Sequence, residues 1–402
     1  MPATTFRTLA LIAAVSVGVA VSLAGIDGRA QAPFKGFLLQ PFEGIDMNVT
    51  SLDVATGGDI VLAALLANGP HLDPGVRIVR YDAAGRRLWE RNPAPRAELT
   101  STAIARATGV DGTLVLLDET PKEQPQLTLL RLNGAGNVLW RRELGPGAAS
   151  DLLVGPDGGA VVSGSVGRER SGGIEALVMA VSSDGLPVWR RRFSGDAEDG
   201  GNSADMLRMA DGNAPLVGGL ADIAYDDRSA VVAARGTAMK LRPDGQPAWR
   251  LFFGDGQSLT MVGGVAPGPI GDAYVLTVTE AAGASQFLEL VRLRTDGSIA
   301  WRRPIAGPAD QEINDMVALP GGGIAMVGSE AQGEGARSAI LVLLDGEGIE
   351  RARVNYRGYK MRRALMLRRH PAGGFVILFE GPERADDDAT TWLGRVDAEG
   401  RF

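Results

Sequence analysis

The phrase DGLPVWRRRFSG at residues 184–195 returns in near copy as AGNVLWRRELG at 135–145, DGQPAWRLFFG at 244–254 and DGSIAWRRPIAG at 296–307. With its weaker copies included, the glycine of the phrase falls at Gly85, Gly136, Gly185, Gly245, Gly297, Gly348 and Gly400. The steps between these glycines are 51, 49, 60, 52, 51 and 52 residues, an internal repeat with a period of about 50 that belongs to propellers and solenoids. A tryptophan stands four residues after the glycine in five copies, at Trp89, Trp140, Trp189, Trp249 and Trp301. The sixth copy has Ala352 there, and the seventh ends before the position is reached.

Each unit carries an earlier Gly/Asp turn: TGGD at 56–59, VDGT at 110–113, PDGG at 156–159, ADGN at 210–213, PGGG at 320–323 and PAGG at 371–374, with a looser PGPIGD at 267–272. Between the turns lie short runs rich in Val, Ile and Leu, such as GAVVSGS, AILVLL and GFVILFEG, of strand length and broken by glycine too often for helices. One unit therefore reads as a four-stranded antiparallel meander, with glycine supplying the positive φ its hairpins need. A lone meander leaves both faces bare. Seven of them set radially bury one another's faces, which predicts an all-β, seven-bladed β-propeller in one domain over 33–402.

In that fold the tryptophan lies on the fourth, outermost strand. There its ring packs between neighbouring blades while its N–H reaches a backbone carbonyl. The following arginines, Arg141, Arg190, Arg250 and Arg302, are expected to alternate outward to solvent. The last unit stops at VDAEGRF without a fourth strand. FLLQPFEG near the N-terminus has the pattern of VWRRRFSG, so residues 33–43 are expected to supply that strand and close the ring.

The segments YDAAGRRLWERN (81–92) and LNGAGNVLWRREL (132–144) resemble the tryptophan-docking repeats of the quinoprotein-like β-propellers. That superfamily includes quinone-cofactor dehydrogenases and the propeller lipoprotein of the outer-membrane β-barrel assembly machine. The resemblance implies the fold of all seven units. It does not carry either activity over, because the period is longer than that of compact blades and cysteine is absent.

The first residues read as a secretory signal peptide: Arg7, an apolar run from Leu9 to Ala24, and small residues at Ala30 and Ala32 that form an A-x-A cleavage step, so 1–32 is removed on export. An uncleaved membrane anchor is the competing reading of the same run. No other segment is apolar over 18 residues, so the mature chain is expected to lack an integral membrane span, and to be periplasmic or extracellular. Without cysteine there is no disulfide framework, no thiolate metal site and no lipid anchor of the bacterial lipoprotein type. The mature chain keeps 39 Lys and Arg against 47 Asp and Glu, a balance that argues against nucleic acid as the main partner.

The chain has two histidines, His71 and His370, and no H-E-x-x-H, G-x-S-x-G, Walker or dinucleotide motif. Comparable places on the innermost strands hold Asp151, Asp205, Thr260, Asp315 and Arg363, with Ser51 and Thr102 in other units. Such residues either ring one mouth of the channel, where convergent carboxylates hold Ca²⁺ or a polar ligand, or they satisfy backbone N–H groups where the strands start. The acidic loops at 194–205 and 221–229 and the DDD at 386–388 lack the ligand order of a calcium loop and read as solvated.

The basic run RGYKMRRALMLRRH (357–370) spans the first strand of the last unit. Its arginines are expected to pair with acidic residues of neighbouring blades or to line an anion site. No cofactor is predicted beyond that possible Ca²⁺. The expectation is a noncatalytic module that binds a protein or an envelope polymer. The alternatives are an enzyme (quinone- or metal-assisted oxidoreductase, hydrolase or lyase) and a small-ligand or glycan binder at the channel mouth.

Overall fold

The computed structural model describes residues 34–42, 47–66, 75–93, 100–109, 112–119, 125–167, 173–196, 201–210, 214–227, 230–280, 286–308, 310–333, 336–381 and 390–402. The signal segment, His71, residues 197–200 of the first acidic loop, residues 228–229 of the second and the DDD run lie outside them.

A short strand, β1 (Phe37–Leu39), comes first. The first unit follows as β2 (Met47–Val54), β3 (Ile60–Leu66), β4 (Val76–Tyr81) and β5 (Arg87–Arg91). The second is β6 (Thr100–Thr108), β7 (Gly112–Glu119), β8 (Gln126–Leu132) and β9 (Val138–Pro146). The third is β10 (Ala148–Val154), β11 (Ala160–Gly167), β12 (Ile174–Val181) and β13 (Pro187–Phe193). The fourth is β14 (Gly201–Ala210), β15 (Ala214–Tyr225), β16 (Val231–Leu241) and β17 (Pro247–Phe253). The fifth is β18 (Leu259–Pro267), β19 (Ala273–Glu280), β20 (Gln286–Leu293) and β21 (Ile299–Pro304). The sixth is β22 (Glu312–Ala318), β23 (Ile324–Ala331), β24 (Arg337–Leu344) and β25 (Glu350–Asn355). The seventh is β26 (Arg363–Arg369), β27 (Phe375–Glu380) and β28 (Thr391–Val396).

The chain is all-β, and within each unit the strands pair antiparallel in sequence order. The fourth and fifth units share a single parallel bridge, Ala234↔Leu259, which merges them into one eight-stranded sheet. β1 pairs antiparallel with β28 through Phe37↔Arg395, Leu38↔Gly394 and Leu39↔Leu393, giving the last unit a fourth strand from the other end of the chain. The first strand of each unit lies against the first strand of the next, and β26 of the last lies against β2 of the first.

The middle strands explain the uninterrupted apolar runs. β7 and β23 are buried along nearly their whole length and β27 throughout, because each sheet is covered on both faces by its neighbours. Apolar clusters accordingly span pairs of units: Val61, Ile78 and Trp89 of the first pack with Val115, Leu117 and Leu130 of the second. Leu365, Val376 and Leu378 of the seventh pack with Leu52, Leu62 and Val79 of the first. Each such side chain contributes about 1.5–3 kcal/mol by leaving water.

The tryptophans dock as the repeat predicts. Trp89 donates its N–H to the Gly134 carbonyl at 2.8 Å, and Trp189 does the same to Pro243 at 2.8 Å. The indole N–H groups of Trp249 and Trp301 find no acceptor among the described residues, so there the ring acts by packing alone. A Cβ added to Gly185 would stand 2.7 Å from the Trp140 ring, and one at Gly245 2.6 Å from Trp189. The glycine of each Asp-Gly turn therefore admits the preceding unit's tryptophan as well as the positive φ.

Where the repeat lacks tryptophan, other residues fill the place. Gly400 meets Leu341 and Val354, and Tyr356 donates its hydroxyl to the Gly400 carbonyl at 2.9 Å. Gly85 meets Phe37 and Leu39 of β1.

Two of the arginines expected to face solvent do not. Arg190 and Arg250 are half-buried and fold back onto the preceding unit, donating to the Leu144 and Ser194 carbonyls at 3.1 and 2.7 Å.

A candidate site on the first strands of the units

Every first strand is bulged, six of them at one corresponding place and the second unit's two residues earlier. The register slips by one between Val49 and Ser51, Thr100 and Thr102, Ala149 and Asp151, Ala204 and Met206, Val262 and Gly264, Ile313 and Asp315, and Ala364 and Met366. A bulge bends the strand, adds twist and re-aims the side chains that follow it. Ser51, Asp151 and Asp315 each directly follow the bulge. All three accept a backbone N–H from the next unit's first strand: Ala105 to Ser51 at 2.9 Å, Leu207 to Asp151 at 2.9 Å and Leu367 to Asp315 at 3.0 Å.

The two carboxylates also anchor a chain of arginines. Asp151 takes Arg106 at 2.6 Å and Arg208 at 3.3 Å. Asp315 takes the other arm of Arg208 at 2.8 Å and Arg368 at 2.6 Å. Arg106, Asp151, Arg208, Asp315 and Arg368 thus form one alternating line of charge drawn from β6, β10, β14, β22 and β26. Arg208 reaches from the fourth unit to the sixth because the fifth presents only Gly263 and Gly264 at this level.

Burial pushes the Asp315 carboxyl up, but Arg368 and Arg208 outweigh it and hold the group below the ordinary carboxylate value. Burial likewise acts against the charge of Arg368, while Asp315, Asp53 and Asp151 raise its proton affinity above the usual value.

The other residues singled out in the sequence stand elsewhere. Asp205 is itself the bulged residue of β14, one place before the register of Asp151, and accepts the Ser203 hydroxyl at 2.7 Å. Burial pushes its pKa up to about 6 against that hydrogen bond. Thr260 lies three residues before the bulged Gly263 of β18 and shares a hydrogen bond of 3.2 Å with Thr279. Arg363 lies near Glu312 at 3.8 Å and Glu380 at 3.9 Å. The structure thus brings Asp151 and Asp315 together with arginines and leaves Asp205, Thr260 and Arg363 in separate surroundings.

Sequence reasoning missed Arg106 and Arg208 as the partners, while Arg368 pairs with an acidic residue of the neighbouring unit as expected of the basic run. The signal for the two missed residues was an arginine near the end of a first strand, four and two residues before the Gly/Asp turn. Among the described residues no three His, Asp or Glu side chains group as a metal cage.

Directly after β26, His370 is buried and faces Gly58 of the first unit. Its Nδ1 accepts from the Ala372 N–H at 3.1 Å and lies 3.2 Å from an Arg395 nitrogen, so Nε2 carries the proton and donates to the Gly58 carbonyl at 3.2 Å. Burial and Arg395 lower its proton affinity, which keeps the imidazole neutral. Arg395 also stacks over Phe34, 5.0 Å from its ring centre, and so clasps the segment that leads into β1.

No protein-family model matches this chain, and no curated protein matches its sequence. Solved structures do. A puromycin hydrolase mutant complexed with PGG superposes with a TM-score of 0.58 at 18% identity over 88% of this chain, and this chain spans 52% of that one. The β-propeller domain of the Trilobed protease from Pyrococcus furiosus matches with a TM-score of 0.52 at 10% identity, over 89% of this chain and 96% of that domain. The Dos1 propeller matches with a TM-score of 0.51 at 9% identity, over 91% and 95%. At such identities the likeness shows the fold, a β-propeller of four-stranded antiparallel sheets. No helix among the described residues is long and apolar enough to cross a membrane.

Proposed function

We propose that the chain is a seven-bladed β-propeller closed through β1, exported behind residues 1–32, and that it works without catalysis as a binding module for a protein or an envelope polymer. The observation that carries this reading is the commitment of the channel charges. Asp151 and Asp315, 6% and 9% exposed, spend their oxygens on arginines and backbone amides, so they serve the joints between units. A Ca²⁺ ion at this level would have to displace Arg208 from both carboxylates. Binding is then left to the faces and the loops, where propellers vary most freely.

The test is an affinity pull-down of tagged residues 33–402 from the envelope fraction of the source cells, read by mass spectrometry. A stoichiometric partner that is lost on mutating one face supports the module. Recovery of the bare chain under every condition counts against it.

One observation favours an enzyme as the second reading. Asp205 is half-buried with a pKa near 6, in the range of a general acid or base. A hydrolytic activity found in a screen of esters, glycosides and peptides and abolished by Asp205→Asn, with melting intact, would establish it.

A further inference from the structure

The face of the fifth sheet that looks toward the fourth changes character along its strands. Near the Gly/Asp turns it is apolar: Val262, Val275, Val291 and Leu293 pack on Leu216, Trp249 and Phe253. At the other end strand alternation brings Thr260, Thr277, Thr279, Phe287 and Glu289 to the same face, where the two sheets part around the link at 254–258. The result is a hollow of about 380 Å³, within the range of about 300–1,000 Å³ of small-ligand sites.

Differences from the second and sixth units keep this corner open. At the place of Thr279, β7 and β23 carry Glu119 and Glu330, each drawn to the outer-strand arginine of its own unit, Arg141 and Arg353. In the fifth unit the carboxylate comes from β20 instead, as Glu289 bonded to Arg302 at 2.8 Å. Threonine is left on the floor. Gly254 lets the link cross close by, since a Cβ there would stand 2.5 Å from the Thr260 hydroxyl oxygen.

The chemistry of the walls is specific. Thr260 and Thr279 share one hydrogen bond, and only one of two hydroxyls can donate in it, so a hydroxyl hydrogen remains for a ligand. The Glu289–Arg302 pair presents acceptors and donors without net charge. Phe287, in the same cross-strand row as Thr260 and Thr279, is 54% exposed and offers a broad apolar ring. Asp255 adds a carboxylate whose Oδ1 accepts the Gln257 and Ser258 backbone N–H groups, so the lining holds acceptors and no free cation. Hydroxyl exchange, an aromatic face and no free cation match one ligand class: many hydroxyls, an apolar C–H face, no negative charge. A phosphorylated or sulfated ligand would need a free cation, and Arg302 is already held by Glu289.

We propose that this hollow binds a neutral saccharide, with a sugar ring lying on Phe287 and its hydroxyls meeting the threonine floor. The proposal deepens the binding-module reading by giving it a ligand class and a place.

The test is titration calorimetry of the mature chain with maltotetraose, cellotetraose and chitotetraose, and with a tetra-uronate as the anionic control. At least one neutral sugar is expected to bind with a Kd of about 1 mM or tighter. Phe287→Ala should weaken it about tenfold or more, and Thr279→Glu, which brings in the carboxylate of the second and sixth units, should abolish it. Neither substitution is expected to change the melting temperature by more than about 2 °C, because both positions border an open hollow.

Three results would overturn the proposal: no neutral sugar binds, the uronate binds in preference, or the affinity survives both substitutions. Each removes the saccharide site and leaves the wider module reading to the pull-down.

Discussion

Asp315 accepts hydrogen bonds from two arginines and two backbone amides at once, so its removal leaves Arg368 buried without its main counter-charge. Asp315→Ala is expected to destabilise the fold by about 3–5 kcal/mol, the cost of breaking a buried pair on one side, as read by urea unfolding. Asp205 and His370 predict opposite responses to pH. For His370 the lowered proton affinity means that the unfolded chain takes up a proton the native state refuses once the pH falls below about 6.5. Stability present above that pH is then lost as it drops, and His370→Gln should flatten the fall in melting temperature between pH 7.5 and pH 5.5. For Asp205 the raised pKa means that stability is whole below 3.8 and is lost as the pH climbs to about 6. Asp205→Asn should therefore raise the melting temperature at pH 7 by a few degrees and do little at pH 4; a lower value at pH 7 would contradict the sign.

At the scale of strands and turns, the tryptophan phrase could be read from the sequence because indole is rare, with 6 tryptophans in 402 residues, and five of them stand at one fixed offset from a glycine. Gly245 shows both demands, with φ +78° and Trp189 where a Cβ would go. Gly321 shows only the first, with φ +84° and open space around it. Thermal melts of Gly245→Ala and Gly321→Ala should differ, with the Gly245 variant lower; equal losses would mean that docking adds nothing to the backbone strain of about 1–3 kcal/mol.

Other features left a weaker trace. Arg142 and Arg303, two residues after their tryptophans, sit over the indole rings at 5.5 Å, and Arg142 and Arg191 also cap the next unit's turn through the Asp184 and Asp244 carbonyls. Their recurrence was visible, but an arginine on an outer strand reads equally well as a solvated face. The bulges had no single residue type to mark them, since the bulged residues run from the hydroxyls of Thr50 and Ser150 through Asp205 and Asn314 to Gly263 and Leu365. A slip of one residue reverses which side chains share a face. Counted from the bulge, the place of Asp151 and Asp315 is held by Met206 and Met366, so Asp205 and Arg363 stand one and three residues out of register, while Arg208 and Arg368 join the line.

For the whole molecule, the proposed ring depends on a joint between the two ends of the chain. Three residues of β1 supply the backbone pairing, Phe37 and Leu39 take the tryptophan's place against Gly85, and Arg395 with His370 fastens the approach. Phe402 adds a terminal ring packed on Tyr359 at 4.8 Å and Tyr356 at 5.8 Å. This joint was legible in the sequence as a missing strand at one end and a matching pattern at the other. The function was not legible, because regular repeats encode packing between units and leave the exposed faces free to vary. The most direct test is the melting temperature of a chain beginning at residue 43 against one beginning at residue 33, each with and without a synthetic peptide of residues 33–42. Closure through β1 predicts a fall of about 10 °C or more for the shorter chain and partial recovery with the peptide. Equal melting temperatures, with no effect of the peptide, would contradict it.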